Sequence, residues 1–177
     1  MDFNALFTKE GVTLNKKKGE HVFMQGEVDA SIYYIQSGLL KAYYTSKDGK
    51  ESVKSFLSTN DIIGSLTTVI SEKACLFSLI CLEPTVLVKT PISTILEYCK
   101  KDIEIANNMI DILLNLSIKK EVREYEFLCL SAEERFCKLM ESQPQLIEKV
   151  TQNDLALYLG VTPVGLSRIK KRTLKHF

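Results

Sequence analysis

The chain has 177 residues, 45% of them hydrophobic and 25% charged, with a formal net charge of +1. This is an ordinary soluble globular composition, long enough for one or two domains and a sizeable apolar core, and it excludes a disordered or collagen-like chain. No apolar run reaches the ~18–20 residues of a membrane span, and Met1-Asp2-Phe3 lacks the basic start and apolar stretch of a secretory signal, so no membrane partner and a cytoplasmic location are expected.

The first hundred residues are punctuated like a β domain. Gly19-Glu20 and Gln25-Gly26-Glu27 bracket a short strand, His21–Met24. A second, Ile32–Ile35, stops at Ser37-Gly38. Leu39–Thr45 and Glu51–Leu57 flank Lys47-Asp48-Gly49-Lys50, a D-G signal for a tight hairpin. Asn60-Asp61 and Gly64 break the chain again, and strands at Phe77–Leu82 and Val86–Thr90 lie on either side of Glu83-Pro84. Short strands at this spacing predict a sandwich, barrel or roll.

At Pro91 the apolar period turns helical. A short helix is expected over Ile92–Cys99 and a long one from about Asp102 to Cys129. Ten of the sixteen residues in Ile103–Ile118 are apolar and form two stripes, Ile103/Ala106/Ile110/Leu113 and Ile105/Met109/Ile112/Leu116. A surface helix needs only one such stripe. Two stripes fit a helix packed on its own β domain and on a second copy of itself, or else a central helix buried within one domain.

Three further helices are expected. Ser131-x-x-Glu134 is a capping box that opens a helix ending before Pro144. Thr151-x-x-Asp154 caps the next, which stops at Gly160, and Thr162-Pro163 supplies a cap and an N1 proline for the last. Ala156 is small where two crossing helices must approach. Leu155, Val161, Leu166 and Ile169 fit their inner faces, leaving Val164, Ser167, Arg168, Lys171 and Arg172 outward. Residues 155–177 carry five bases (Arg168, Lys170, Lys171, Arg172 and Lys175) and no acid, a formal +5 that leaves −4 on residues 1–154. Such a helix pair can read a DNA major groove, with arginine bidentate to guanine. The alternative is an ordinary helical hairpin with a basic surface.

The order of these parts resembles the cyclic-AMP-receptor/fumarate–nitrate-regulator (Crp/Fnr) superfamily of bacterial transcription factors. The likeness covers residues 10–175. It rests on Lys18-Gly19-Glu20 with Gln25-Gly26-Glu27, Tyr34-Ile35-Gln36-Ser37-Gly38, Asp48-Gly49-Lys50-Glu51, Asn60-Asp61 with Gly64, Leu130-Ser131-Ala132-Glu133-Glu134-Arg135, and Tyr158-Leu159-Gly160-Val161-Thr162-Pro163 with Leu166-Ser167-Arg168-Ile169. The resemblance implies an α+β chain: a β-roll sensor domain of the cyclic-nucleotide-binding jelly-roll type (residues 1–101), a dimerisation helix (102–129) and a helix-turn-helix DNA-binding domain (130–177). It implies a DNA-binding homodimer on a two-fold symmetric operator, with Ile103, Ala106, Ile110 and Leu113 at the dimer interface. RNA polymerase and a small-molecule effector are its further implied partners. Arg168 matches the family's base-reading arginine, and Thr151, Gln152 and Thr162 match phosphate-touching positions. Pro163 and Val164 stand where the family often has polar or charged readers, so the base preference does not transfer. The sequence ends at Phe177, before the β-hairpin wing that usually follows, and a module lacking most of the wing is expected.

Cyclic-nucleotide-binding relatives use a Gly-Glu-Leu start, whose Glu holds a ribose hydroxyl, and an Arg about ten residues later that pairs with the cyclic phosphate. The corresponding pocket residues here are Gly64, Ser65 and Leu66, with Cys75 near the arginine position and Lys73 beside it. A thiol cannot replace the guanidinium fork, so cyclic AMP is not the expected effector. Iron–sulfur sensing would require an N-terminal cysteine cluster, whereas the first cysteine is Cys75. The five cysteines (Cys75, Cys81, Cys99, Cys129, Cys137) form no C-x-x-C pair and read as buried, reduced thiols. His21 and His176 stand at opposite ends of the sequence, and His21 reads as an ordinary surface residue. No cofactor or metal is expected. There is no G-x-S-x-G, H-E-x-x-H, Walker A or G-x-G-x-x-G motif, and the histidine cluster of a cupin-type enzyme is missing, so no catalytic residue is assigned. The competing function is a ligand-sensing or assembly module that does not bind DNA.

Overall fold

A computed structural model of the chain describes residues 3–173. Lys175 and His176 lie outside the described residues. The chain divides into two units, residues 1–114 and 115–177, and the division falls inside the longest helix.

In the first unit a helix α1 (Phe3–Glu10) precedes eight strands: β1 (Val12–Lys16), β2 (His21–Phe23), β3 (Ser31–Ser37), β4 (Leu40–Thr45), β5 (Glu51–Leu57), β6 (Ile62–Ile63), β7 (Ser78–Cys81) and β8 (Thr85–Pro91). A short helix α2 (Leu66–Ser71) sits between β6 and β7, and α3 (Ile92–Lys101) and α4 (Ile103–Cys129) follow β8. The strands form two antiparallel sheets, ordered β1-β8-β3-β6 and β2-β7-β4-β5. Of the shapes left open by the strand spacing, this is a two-sheet jelly roll.

Alternation along the strands dictates the layers. Tyr33 and Ile35 of β3 and Leu87 of β8 point between the sheets, where they meet Phe23, Leu40, Ala42, Leu79 and Cys81. Their neighbours Ile32 and Val88 point the other way and are covered by Leu6 and Phe7 of α1, Ile92 and Ile95 of α3, and Ile105 of α4. The first sheet is therefore buried on both faces. The β4–β5 hairpin closes as its D-G signal implies, with the Gly49 amide donating to the Ser46 carbonyl at 2.9 Å. Between β3 and β4, Gly38 adopts φ +115°, and a Cβ there would lie 2.4 Å from Thr85 Oγ1. Only glycine fits that crossing. At the opposite end of β3 the chain is pinned by Asp29, which accepts from Tyr33 Oη at 2.6 Å and from Lys89 Nζ at 3.0 Å. Burial opposes the charged form of Asp29, yet these bonds and one from the Ser31 amide prevail and hold its carboxyl below the usual range.

The second unit holds the end of α4, then α5 (Ala132–Ser142), α6 (Pro144–Lys149), α7 (Gln152–Leu159) and α8 (Pro163–Thr173). Phe136, Leu139, Val150, Leu155, Ala156, Leu159, Leu166 and Ile169 are its buried apolar residues. α5 packs against α6, α7 and α8. Four helices follow α4 rather than three, because Pro144, read as a stop, occupies the first turn of α6. No described helix is long and apolar enough to cross a membrane.

Two surface expectations need correction. All five cysteines are free, but only Cys75 and Cys81 are buried. Cys99 and Cys137 are half-buried, and Cys129, the last residue of α4, is exposed. His21 is half-buried and its Nε2 lies 2.9 Å from Tyr43 Oη, so it is a packed strand residue rather than a free surface one.

Candidate nucleic-acid interface and effector pocket

The helix pair is built from its caps inward. Thr151 Oγ1 accepts from the Asp154 amide at 3.0 Å and donates to Asp154 Oδ2 at 2.7 Å, so both its acceptor and its proton are committed. Thr162 Oγ1 accepts from the Gly165 amide at 3.1 Å and keeps its own proton. Between them Gly160 adopts the left-handed conformation at φ +70°, and the Val161 amide closes on the Ala156 carbonyl at 3.0 Å. Leu155, Ala156, Leu166 and Ile169 are buried and Val161 is half-buried. The inner face expected from the sequence is the face that packs.

All nine residues assigned to the outer face are exposed: Thr151, Gln152, Thr162, Pro163, Val164, Ser167, Arg168, Lys171 and Arg172. They are not equivalent. Arg172 pairs with Glu133 of α5 at 2.8 Å and 3.1 Å. Lys170 lies over the Phe136 ring at 5.9 Å, and burial lowers its pKa. Arg168 and Lys171 have no ion-pair partner among the described residues, and with Val164 and Ser167 they occupy one stripe of α8 at i, i+3, i+4 and i+7.

Two arginines fix this pair to α4, and sequence reasoning assigned neither a role. Arg123 donates to the Tyr158 carbonyl at 2.8 Å, and Arg135 donates to the Leu159 carbonyl at 2.9 Å and the Leu130 carbonyl at 2.6 Å. Both guanidiniums lie 4.6 Å from the Phe127 ring centroid. The last carbonyls of α7 are thus capped by cations, as the helix dipole favours. The sequence signal was present in part: Arg135 belongs to the Leu130–Arg135 motif, but nothing in its spacing says where the side chain turns.

On α4 the stripe Ile105/Met109/Ile112 packs against the outer face of the first sheet. The other stripe stays bare: Ile103 is 76% exposed, Ile110 53% and Leu113 42%, with Ala106 half-buried between them. In the roll, Gly64 and Leu66 are half-buried and Lys73 is exposed. Ser65 and Cys75 are buried and are brought together by a residue not foreseen, Thr68, whose Oγ1 donates to Ser65 Oγ at 3.1 Å and lies 3.3 Å from Cys75 Sγ. No group of three or more His, Cys, Asp or Glu able to hold a metal occurs among the described residues.

The family model of the cyclic nucleotide-binding domain matches residues 13–102, the span from β1 to the end of α3. The chain belongs to the cyclic nucleotide-binding domain family. Over 171 residues it is 25% identical to the regulatory protein HlyX of Actinobacillus pleuropneumoniae, covering 90% of this chain and 70% of that protein. It is also 25% identical to the fumarate and nitrate reduction regulatory protein of Salmonella typhi, covering 90% of this chain and 67% of that one. The solved structure of FixK2 from Bradyrhizobium japonicum shares the fold with a TM-score of 0.82 at 16% identity, over 94% of this chain and 85% of its own. The Crp/Fnr likeness read from the motifs holds through both units.

The cations of the cyclic nucleotide-binding domain are lysines alone. All four arginines of the sequence, Arg123, Arg135, Arg168 and Arg172, follow residue 114, so the jelly-roll unit contains none. The thiol at Cys75 is occupied by Thr68, and no guanidinium of that unit can fork a cyclic phosphate.

Two outcomes test these geometries. Calorimetric titration with cyclic AMP is expected to give no saturable heat in the micromolar range, about −8 kcal/mol of binding; a clear isotherm would show that Ser65, Thr68 and Cys75 rearrange to admit a phosphate. Arg135→Lys keeps the charge but loses the fork, and is expected to lose most of the roughly 2–3 kcal/mol that Arg135→Ala loses, read as hydrogen-exchange protection of α7 and α8 amides. Wild-type protection in the lysine variant would mean that charge alone caps α7.

Proposed function

We propose that the chain is a transcription regulator that binds double-stranded DNA as a homodimer on a two-fold symmetric operator. The observation that carries this reading is the exposed α8 stripe of Val164, Ser167, Arg168 and Lys171, held by a buried helix-turn-helix core whose turn is Gly160. A helix so presented enters a major groove by its N-terminal turns. Arg168 reads a guanine, Ser167 a neighbouring base edge, and Lys171 a phosphate. At the start of α7, Gln152 and the free first-turn amides contact the backbone, while Thr151 serves chiefly as their cap. Thr162 uses its remaining proton on phosphate, and Pro163 rests against the groove wall.

The bare α4 stripe of Ile103, Ala106, Ile110 and Leu113 supports the dimer. Exposed apolar residues at this helical spacing are satisfied by a second copy. The jelly roll is then a sensor whose effector is a small molecule other than cyclic AMP, with Gly64, Ser65, Leu66, Lys73 and Cys75 around the pocket. RNA polymerase is the further partner, the site of action is the cytoplasm, and no catalytic step or cofactor enters. The names of the relatives, both regulatory proteins, support the same reading.

Selection of the full chain against a randomised duplex library at two salt concentrations is expected to enrich a palindrome, with affinity falling steeply in salt. Flat, weak binding would favour a ligand-sensing or assembly module that does not bind DNA. On the enriched duplex, Arg168→Ala is expected to cost about 1–3 kcal/mol and to relax preference at one position per half-site; an equal loss on every sequence would make it a phosphate contact. Ile110→Asp is expected to sediment as a monomer, because it places an unpaired charge in the seam, and an intact dimer would place the interface elsewhere.

A further inference from the structure

We propose that Val164 is a thymine reader: in each half-site its isopropyl group packs on the C5-methyl of a thymine that lies next to the guanine contacted by Arg168. The inference rests on the DNA-binding reading and extends it to the base sequence. Val164 is 62% exposed, an apolar side chain left bare in the first turn of α8. It stands one helical turn before Arg168, on the same face, so a groove that admits one admits the other.

The first turn is Pro163-Val164-Gly165, and none of these residues carries a polar side chain. Pro163 has no amide hydrogen, and the Gly165 amide is spent on Thr162 Oγ1. With the Thr162 hydroxyl assigned to phosphate, the first turn of the helix therefore offers base edges no side-chain donor or acceptor before Ser167 and Arg168. Among the features of the major-groove edge, only the thymine methyl is apolar. Opposite cytosine, guanine or adenine, the valine would cover an amino or carbonyl group without replacing its hydrogen bond to water, which is unfavourable. Selectivity thus comes from one attractive contact and from rejection of polar edges.

The test uses the full chain and the duplex enriched by the selection above. Each thymine of a half-site is replaced in turn by deoxyuridine, which removes only the methyl. One replacement is expected to weaken wild-type binding about fourfold, the worth of one buried methyl, and to leave Val164→Ala unaffected. Replacing that T·A pair by C·G is expected to weaken binding further, and 5-methylcytosine at the same place to restore part of the loss. Insensitivity of the wild type to every thymine-to-uracil change overturns the proposal while leaving DNA binding intact. A methyl effect that persists undiminished in Val164→Ala overturns it too, by assigning the contact to another residue. Failure of any duplex to enrich removes both this proposal and the DNA-binding reading. Val164 is 62% exposed and outside the buried core, so its alanine variant keeps the fold.

Discussion

The end of α7 is where the second unit is decided. A helix that must stop, turn and hand over to another leaves its last carbonyls without amide partners. Here the turn is made by Gly160 in the left-handed conformation, and the carbonyls of Tyr158 and Leu159 are taken by Arg123 and Arg135. Both guanidiniums lie against Phe127, and a Cβ on Gly160 would come within 3.0 Å of that same ring. One aromatic side chain of α4 therefore touches the turn and both of its cationic caps. The direction in which α8 leaves the turn follows from this arrangement, and with it the direction of the stripe that carries Arg168.

The first unit is organised by a different constraint, the double burial of one sheet. Because Ile32 and Val88 face outward beneath α1, α3 and the start of α4, the inner half of α4 is committed to its own roll through Ile105, Met109 and Ile112. What remains on the opposite side is the Ile103/Ile110/Leu113 stripe. Inside the same unit Ser65, Thr68 and Cys75 are buried and satisfy one another.

Much of this was legible in the sequence because local chemistry and tertiary demand agree. Glu51–Leu57, the D-G hairpin, the Ser131–Glu134 capping box and the Gly160 turn are encoded by residues that have few other conformations. The elements that escaped are those whose signal is weak or contradictory. α1 and β1 precede the first clear punctuation, β6 has two residues, and α2 contains Thr67, Thr68 and Val69, poor helix formers. α6 begins on Pro144, a residue type that ends one helix and opens the next with equal ease. The two-stripe pattern of α4 revealed that the helix has two apolar sides but left open which side meets the roll. Arg123 and Arg135 were missed because each acts through a contact distant in sequence, to Tyr158 and Leu159, that no spacing rule describes. Thr68 was missed although its partners Ser65 and Cys75 are close in sequence, because nothing in the spacing says that the three side chains turn toward one another.

The Glu133–Arg172 pair separates formal charge from the charge that α8 presents. A guanidinium already holding a carboxylate gains little from an incoming phosphate, because it exchanges one anion for another. Lys170, laid over Phe136, is drawn toward its neighbour in the same way. The tail that sums to +5 on paper thus meets a polyanion, among its described residues, with Arg168 and Lys171 alone. The electrostatic share of binding then rests on these two side chains in each copy, and discrimination falls to the shape and chemistry of a single narrow ridge.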